Sequence, residues 1–263
     1  MSHALLAQLR SADAANRAAA CRAVASDPAG ALLAEPVARA LGDSDKRVAR
    51  AASDALVGLA RAGSGDAVVP LLRAALRGES TLARIHAAIT LARLEPPEPS
   101  LLPALVLALA SPEGDLRWSA ARVLVDMGRL HGEIVHVLLG LVRGSEASSV
   151  RRMATFCLRE LAPDQPAAAQ ALLEASRDAD TQLRRAALTA MAGLLDPPPL
   201  VRTRLGEALD DADTVAAGLA ALALGELRDV DALPRLRTLA ESARTPALQR
   251  AAKAAVARLE TRR

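Results

Sequence analysis

The apolar positions of this chain recur at a nearly constant interval, and alanine is the most regular of them. The intervals between the recurring alanines run from 32 to 35 residues, and the series is Ala20, Ala52, Ala87, Ala120, Ala154, Ala187, Ala220 and Ala252. Four positions after each alanine stands a larger apolar residue: Val24, Leu56, Leu91, Leu124, Leu158, Met191, Leu224 and Val256. A fixed period of this length is typical of repeat architectures, in which each unit stacks on its neighbours.

Each period contains two helical patterns joined by a short polar turn. In the second pattern, apolar residues recur on one face of a helix, as Val150, Ala154 and Leu158 do. Loops rich in Pro and Gly end the units at residues 27–30, 63–66, 95–99, 162–166 and 196–199. The second helices are predicted at residues 14–26, 46–62, 80–95, 114–130, 148–161, 181–195, 214–228 and 246–260.

The predicted fold class is therefore all-α, an α-solenoid of about eight helix pairs in a single domain over residues 1–263. A short helix at residues 2–10 and the last helix, which ends in ETRR, are expected to cap the array. The regular alanine marks a place where helix backbones approach closely, since a larger side chain there would cost about 1–3 kcal/mol.

Composition and the first residues of the chain indicate where in the cell the protein is expected. No interval of 18 or more residues is apolar throughout, which argues against a membrane span. The first ten residues, MSHALLAQLR, show neither a basic leader nor an unbroken apolar stretch, so a cytoplasmic location is expected. Cys21 and Cys157 fall four repeats apart, and we expect both to be free thiols in core or groove positions.

The turns and the residues that follow them carry a family resemblance. In the sixth repeat, Asp178, Leu183 and Arg184 have the spacing of a HEAT repeat, and prolines stand in the first helices at Pro36, Pro70, Pro103 and Pro234. The chain resembles the HEAT-repeat family, and more closely the short bacterial HEAT-like repeats also found in phycobiliprotein lyases.

The same positions also show where the chain departs from the family. The Asp position is occupied by Ser11, Gly78, Ser111, Ser145 and Ala243 in five repeats, and the Arg position by Ala49, Ala217 and Gln249 in three. An unbroken Asp–Arg ladder is therefore not expected. The arginines present at that position are interpreted as partners for carboxylates and carbonyls of the turns: Arg17, Arg84, Arg117, Arg151 and Arg184.

Charge is distributed unevenly between the two kinds of helix. The chain has a formal charge of +3, but its second helices carry a surplus of 13 basic over acidic side chains and the remainder is net −10. The family resemblance implies that second helices line an inner, concave side. Such a groove would attract an acidic protein segment or a nucleic-acid backbone, and a solvated scaffold is the alternative explanation.

The face of the second helices opposite the predicted core is only partly polar. Apolar residues on this face of repeats three to six are Ile85, Ile89, Trp118, Val125, Phe156 and Leu188. Basic residues interleaved with them are Arg122, Arg152, Arg159 and Arg185, and Arg50 extends the basic edge towards the N-terminus. Aromatic residues beside arginines are typical of binding hot spots, and lateral packing between second helices is the alternative for some of these positions.

Candidate chemistry is sparse. His131, Glu133 and His136 have poor spacing for metal binding, because residues five apart point to different sides of a helix. His86 is interpreted as a structural histidine. Phosphate-binding loops and nucleophile motifs are absent, as are the repeated His-Glu dipeptides of deoxyhypusine hydroxylase. No catalytic residue, cofactor or metal is therefore predicted.

The favoured function is a non-catalytic scaffold that binds an acidic or helical segment of a partner protein. Its predicted contact residues are Arg50, Ile85, Ile89, Trp118, Arg122, Arg152, Phe156, Arg159 and Arg185. The alternative is nucleic-acid binding through phosphate contacts. Alkylpurine DNA glycosylases of HEAT-like fold resemble the chain in length and basic groove, but they rely on several aromatic residues. A third hypothesis, from the lyase resemblance, is a chromophore-lyase subunit.

Overall fold

The computed structural model describes residues 2–27, 29–144, 147–163, 166–194 and 196–261, and these residues form helices and connecting turns without any strand. The first helix of each pair is one of α1 Ser2–Leu9, α3 Ala34–Arg39, α5 Gly65–Leu76, α7 Leu102–Leu109, α9 Ile134–Arg143, α11 Pro166–Ala175, α13 Pro199–Ala208 and α15 Leu233–Ser242. The second helices are α2 Ala14–Val24, α4 Lys46–Leu59, α6 Thr81–Leu91, α8 Gly114–Leu130, α10 Ser148–Leu161, α12 Thr181–Ala192, α14 Thr214–Glu226 and α16 Pro246–Glu260. Short 3-10 turns occupy Gly30–Leu33, Ala40–Gly42, Pro99–Leu101 and Val230–Ala232.

The eight predicted pairs are confirmed, and the second helices begin within one residue of the predicted positions. Polar side chains fix these starts, because each accepts a hydrogen bond from a backbone N–H in the first turn. The capping residues seen are Asp13, Asp45, Ser80, Asp180, Asp213 and Thr245. Five second helices, α2, α4, α6, α12 and α14, end a few residues before the predicted position. After α4 the chain continues as a π-helical turn over Ala60–Ser64, and after the other four it forms hydrogen-bonded turns.

The recurring alanines form the centre of the core. All eight are completely buried, and so are most of the larger apolar residues that follow them. Val256 is only half-buried. Each alanine therefore occupies a position where a methyl group fills the space between packed helices, as the sequence pattern predicts. Cys21 and Cys157 are both buried, which confirms their prediction as core residues.

One helical stretch passes a test for membrane crossing. Lys46–Leu76, which contains α4 and α5, is long and apolar enough to cross a membrane by length and composition. Gly63 interrupts this stretch with φ of 101°, a left-handed conformation that glycine adopts without strain. Buried residues of α4 such as Ala52 and Leu56 pack in the repeat core, and a core helix passes the same test. The stretch is therefore weak evidence for a membrane span.

The chain divides into two compact units, one up to Met127 and one from Gly128. In the first unit, α2, α4 and α6 pack against one another in sequence; in the second, α10, α12, α14 and α16 do so. Each first helix of these repeats lies against its own second helix. A single domain over residues 1–263 stays a prediction.

Arginines that follow the turns tie neighbouring repeats together. Arg184 donates to the carbonyl oxygens of Asp178 and Ala179 in its own turn, at 2.9 and 3.0 Å, and to both carboxylate oxygens of Asp211 in the next repeat. Arg17 bonds Asp43 of the next repeat in the same way. Guanidinium groups are suited to such paired contacts.

The Asp–Arg ladder is interrupted, as the sequence predicts. Among the residues that the structure describes, Arg117 donates to the carbonyl oxygens of Ser111 and Pro112 in its own turn and forms no ion pair with the next repeat. Ala49 and Ala217 leave the position without a guanidinium. Ser145, which stands at one of the predicted turn positions, and the last two arginines of the predicted cap lie outside the described residues.

Candidate partner-binding face

Trp118 and Arg122 belong to the exposed part of the predicted face in the first unit. Half of the Trp118 side chain is accessible to solvent, and Arg122 is exposed on the same helix, α8. Residues four apart on a helix are neighbours on its surface. The prediction that the only tryptophan of the chain is exposed beside an arginine is therefore confirmed.

Three residues assigned to this face belong to the core instead. Ile85 is 3% exposed, Val125 5% and Leu188 0%. Each lies on the flank of a second helix; α6, which carries Ile85, packs against α4, and α12, which carries Leu188, packs against α10 and α14. The prediction of Ile85 as a partner contact is wrong, and lateral packing is the correct explanation for all three.

Phe156 is half-buried, and its ring is covered by a guanidinium group. Arg159 lies over the ring with 4.8 Å between its guanidinium carbon and the ring centroid, and it also forms an ion pair with Glu160. This cation–π contact holds the arginine against its own helix, α10. Arg152 is exposed on the same helix and forms no ion pair among the described residues.

Arg185 is committed to a contact within the protein. Its guanidinium group donates to both carboxylate oxygens of Asp213 at 2.5 and 2.7 Å. Asp213 caps α14 through the backbone N–H groups of Val215 and Ala216. The Arg185 guanidinium holds the pKa of Asp213 at about 2, well below its ordinary value. A partner would have to break this pair to reach Arg185.

The charge left uncompensated on the second helices is positive. Carboxylates on these helices that form ion pairs with arginines are Asp54, Asp115, Glu160, Glu226 and Glu260. Basic residues on the same helices that form no ion pair in the described part of the chain are Arg22, Lys46, Arg84, Arg117, Arg122, Arg152, Arg250 and Lys253. The basic surplus predicted from the sequence thus remains after ion pairing is taken into account.

A cleft of about 270 Å³ lies over the third repeat, within the first unit. His86, Ile89 and Leu116 line its inner part. Lys46 and Arg50 of α4 stand on one side, and Glu113 and Asp115 at the start of α8 on the other. We call this the repeat-3 cleft.

His86, which the sequence interprets as a structural histidine, lines this cleft. The residue is only half-buried, and its imidazole faces the space between α4 and α8. Burial lowers the pKa of His86 below its ordinary value, although the carboxylate of Glu113 acts in the opposite direction. The imidazole is therefore neutral at physiological pH.

Beside the cleft, a network of hydroxyl groups links α4 to α6. Ser53 Oγ and Thr90 Oγ1 are 2.7 Å apart and both are buried. Arg93 donates to Ser53 Oγ at 3.0 Å and to Asp54 Oδ1 at 2.8 Å. The charge of Asp54 is thus compensated by Arg93, which leaves Lys46 and Arg50 as the basic groups of the α4 side.

An ion pair crosses the cleft. Arg50 Nη2 lies 2.9 Å from Asp115 Oδ2, although the two residues are 65 positions and two repeats apart. Helices that pack at about 8–10 Å would separate such repeats by about 16–20 Å on a flat array. The contact therefore shows that second helices of repeats two and four converge over repeat three.

Sequence reasoning located only two of the groups around the cleft, Arg50 and Ile89, and treated them as parts of a long face. The signal it missed was Glu113 and Asp115, two carboxylates at the start of one second helix, where the helix dipole favours negative charge. Their pairing with α4 depends on curvature, which periodicity does not encode.

Metal ligands are not clustered in the described residues: no three His, Cys, Asp or Glu side chains there could hold a metal ion. His131 lies in the turn before α9, as predicted, with its Nδ1 atom 3.9 Å from Glu133 Oε1, and His136 is exposed.

Comparison with known proteins supports the repeat assignment. Residues 102–193 match the family model of HEAT repeats. This part of the chain is therefore similar to HEAT repeats. No curated protein matches the sequence. The narrower resemblance to lyase-type repeats stays a prediction.

Solved structures share the fold of this chain at low sequence identity. Kap121p bound to Pho4p aligns with 98% of this chain and 33% of its own, at 15% identity and a TM-score of 0.61. Importin beta aligns over 98% and 40%, at 16% identity and a TM-score of 0.62. YibA of E. coli aligns over 99% and 92%, at 17% identity and a TM-score of 0.55. The chain spans about a third of the length of Kap121p, and the likeness shows an α-solenoid fold.

Proposed function

We propose that this protein is a non-catalytic scaffold that binds a segment of a partner protein on its second helices. The observation that carries the proposal is Trp118, a large apolar side chain that is half exposed beside the exposed Arg122. Tryptophan and arginine dominate the energetics of protein interfaces. Kap121p has been crystallised with Ste12p, Pho4p and Nup53p, so a solenoid of this fold binds proteins in at least one case.

The uncompensated positive charge of the second helices favours an acidic partner. Exposed basic groups such as Lys46, Arg122 and Arg152 are not engaged by carboxylates among the described residues. They would steer an acidic segment to this face and align it, while the indole contributes apolar contact. We place the protein in the cytoplasm, on the composition of the sequence alone.

Trp118 provides its own reporter of binding, because the chain has no Tyr and no second Trp. The probe is an amphipathic helical peptide with Leu on one face and Glu on the other, free of Trp. We expect a saturable blue shift of the indole emission as the peptide covers the ring. With a labelled peptide, Trp118→Ala should weaken binding about tenfold or more and leave the melting temperature within a few degrees.

The matched control is Leu107→Ala, which removes a 42%-exposed side chain from the first helix α7 of the same unit. This variant should bind the peptide as the unchanged protein does. Equal binding by Trp118→Ala and the unchanged protein would contradict the proposal, and a loss of stability as large as that of a core truncation would place Trp118 in the stack.

Nucleic-acid binding is the second candidate, and the same unpaired basic side chains favour it. Phosphate contacts by Arg and Lys release counterions, so such binding weakens steeply with salt. Titration with labelled duplex and single-stranded DNA at low and at physiological salt tests it. Micromolar affinity that falls steeply between the two supports this function, and no binding at low salt removes it.

A further inference from the structure

The repeat-3 cleft has walls of opposite charge. Lys46 and Arg50 stand on the α4 side, where Arg93 already compensates Asp54. Glu113 and Asp115 stand on the α8 side. Among the described residues neither Lys46 nor Glu113 forms an ion pair, so each wall keeps one uncompensated charge.

The ion pair across the cleft is easily exchanged. Arg50 and Asp115 have side chains that are 67% and 66% exposed, and ion pairs in water contribute little to stability. When a ligand separates Arg50 from Asp115, the α4 wall gains a second uncompensated positive charge. The α8 wall then gains a second uncompensated negative charge. An entering ligand that supplies both signs replaces the lost pair, whereas a ligand of one sign leaves Arg50 or Asp115 without a counter-charge.

Between the walls the cleft is largely apolar. Ile89 is half-buried and Leu116 is buried, and His86 beside them is neutral at physiological pH. The space of about 270 Å³ accommodates one large apolar side chain. The side chains of Arg50 and Asp115 together span the distance between the walls, with 2.9 Å between Nη2 and Oδ2. Residues two turns apart on a helix are separated by a comparable distance, about 11 Å.

We infer that the repeat-3 cleft binds an α-helical segment of a partner protein that presents a carboxylate and a cation about two turns apart, with an apolar side chain between them. The carboxylate meets Lys46 and Arg50, the cation meets Glu113 and Asp115, and the apolar side chain enters against Ile89 and Leu116. Helices dock in grooves through side chains at such spacings. This inference rests on the proposed scaffold function and specifies the ligand of one part of its surface.

Three labelled alanine-rich helical peptides test the inference. All carry a central Leu; the flanking residues are Glu and Arg in the dipolar peptide, two Glu in the acidic peptide and two Arg in the basic peptide. We expect the dipolar peptide to bind about tenfold more tightly than either other peptide, measured by fluorescence anisotropy at physiological salt. The direction of the peptide helix does not affect the comparison, because the peptide can bind in either orientation.

Charge changes in the protein sharpen the test. Arg50→Glu should move the preference to the basic peptide, and Asp115→Arg to the acidic peptide. The double variant, in which the two charges are exchanged, leaves one charge of each sign on each wall and should therefore bind the three peptides with similar affinity. Its melting temperature should remain within a few degrees of the unchanged protein, because both residues are exposed.

The outcomes separate this inference from the proposed function. Equal affinity of the unchanged protein for all three peptides, or a preference unaffected by the charge changes, overturns the dipolar cleft. If the Trp118→Ala variant then fails to bind any of the three peptides, the proposed scaffold function is retained and only the dipolar cleft is rejected. Absence of binding by any peptide also overturns the inference, while the acidic amphipathic peptide remains the independent test of the scaffold.

Discussion

At the scale of single residues, the recurring alanine explains how the repeats approach one another. All eight are fully buried at the centre of the second helices. A methyl group at this position lets neighbouring helices pack closely, and protein interiors have few voids that could take more volume. The small volume of alanine therefore explains its presence at this position. Its high helix propensity also stabilises the second helices.

Replacement of one such alanine by leucine should be costly. We expect Ala154→Leu to lower the free energy of unfolding by about 1–3 kcal/mol, because added methylene groups force helices apart. Chemical denaturation followed by circular dichroism measures the change. Ala254→Leu, at an exposed position of α16, is the control and should remain within about 0.5 kcal/mol of the unchanged protein. Equal effects at both positions would show that packing is not the reason for the alanine.

At the scale of helices, several N-terminal caps also join repeats. Asp213 caps α14 and holds Arg185 of the preceding second helix, and Asp180 caps α12 and pairs with Arg151. The same carboxylate therefore starts one helix and fixes its neighbour. Arginine pairing lowers the pKa of both Asp180 and Asp213.

These carboxylates predict a loss of stability in acid. The pKa of Asp213 is about 2 in the folded protein, against an ordinary value of 3.8 for an aspartate, so its contribution is complete above about pH 4. It is lost as the pH falls towards 2, because protonation of the folded carboxylate breaks the pair. We expect the melting temperature to fall between pH 5 and about 2.

Asp213→Asn should make that fall shallower and lower the melting temperature at pH 7. Asp66→Asn is the control, since Asp66 is exposed and forms no ion pair among the described residues. An acid profile of Asp213→Asn identical to that of the unchanged protein would show that this pair does not link stability to pH.

Helix boundaries were predictable from the sequence, whereas the exposure of helix flanks was not. Capping residues such as Asp180 act within a few residues, so their effect can be read locally. Ile85, Val125 and Leu188 were assigned to the wrong surface because a helical wheel identifies the centre of the core face but not how far neighbouring helices wrap around it. Trp118 and Leu188 occupy similar faces, and only packing separates them.

At the scale of the whole chain, the repeats are joined mainly to their nearest neighbours. In the second unit, Gly225 of α14 lies so close to α16 that an added Cβ would stand 2.8 Å from the Cα atom of Ala255. Such local contacts make stability approximately a sum over repeats and their interfaces. Damage at one interface should therefore remain close to it.

Gly225→Leu tests this locality. We expect faster amide hydrogen exchange in α13, α14, α15 and α16, and little change in α2, α4 and α6, as measured by mass spectrometry on peptic peptides. Gly206→Leu is the matched control, because an added Cβ at Gly206 of α13 meets nothing within 4 Å. Uniform acceleration over the chain would show that the array unfolds as one cooperative unit.

The sequence by itself determined the eight helix pairs, the buried alanines and the basic surplus of the second helices, since periodicity, capping and charge are properties of short segments. Only the tertiary structure decided which charges remain available and where a ligand can enter. Arg50 meets Asp115 across 65 residues, and Arg185 meets Asp213 in the next repeat. These contacts depend on how successive helices pack and converge. The sequence of a single repeat does not specify small differences in that packing.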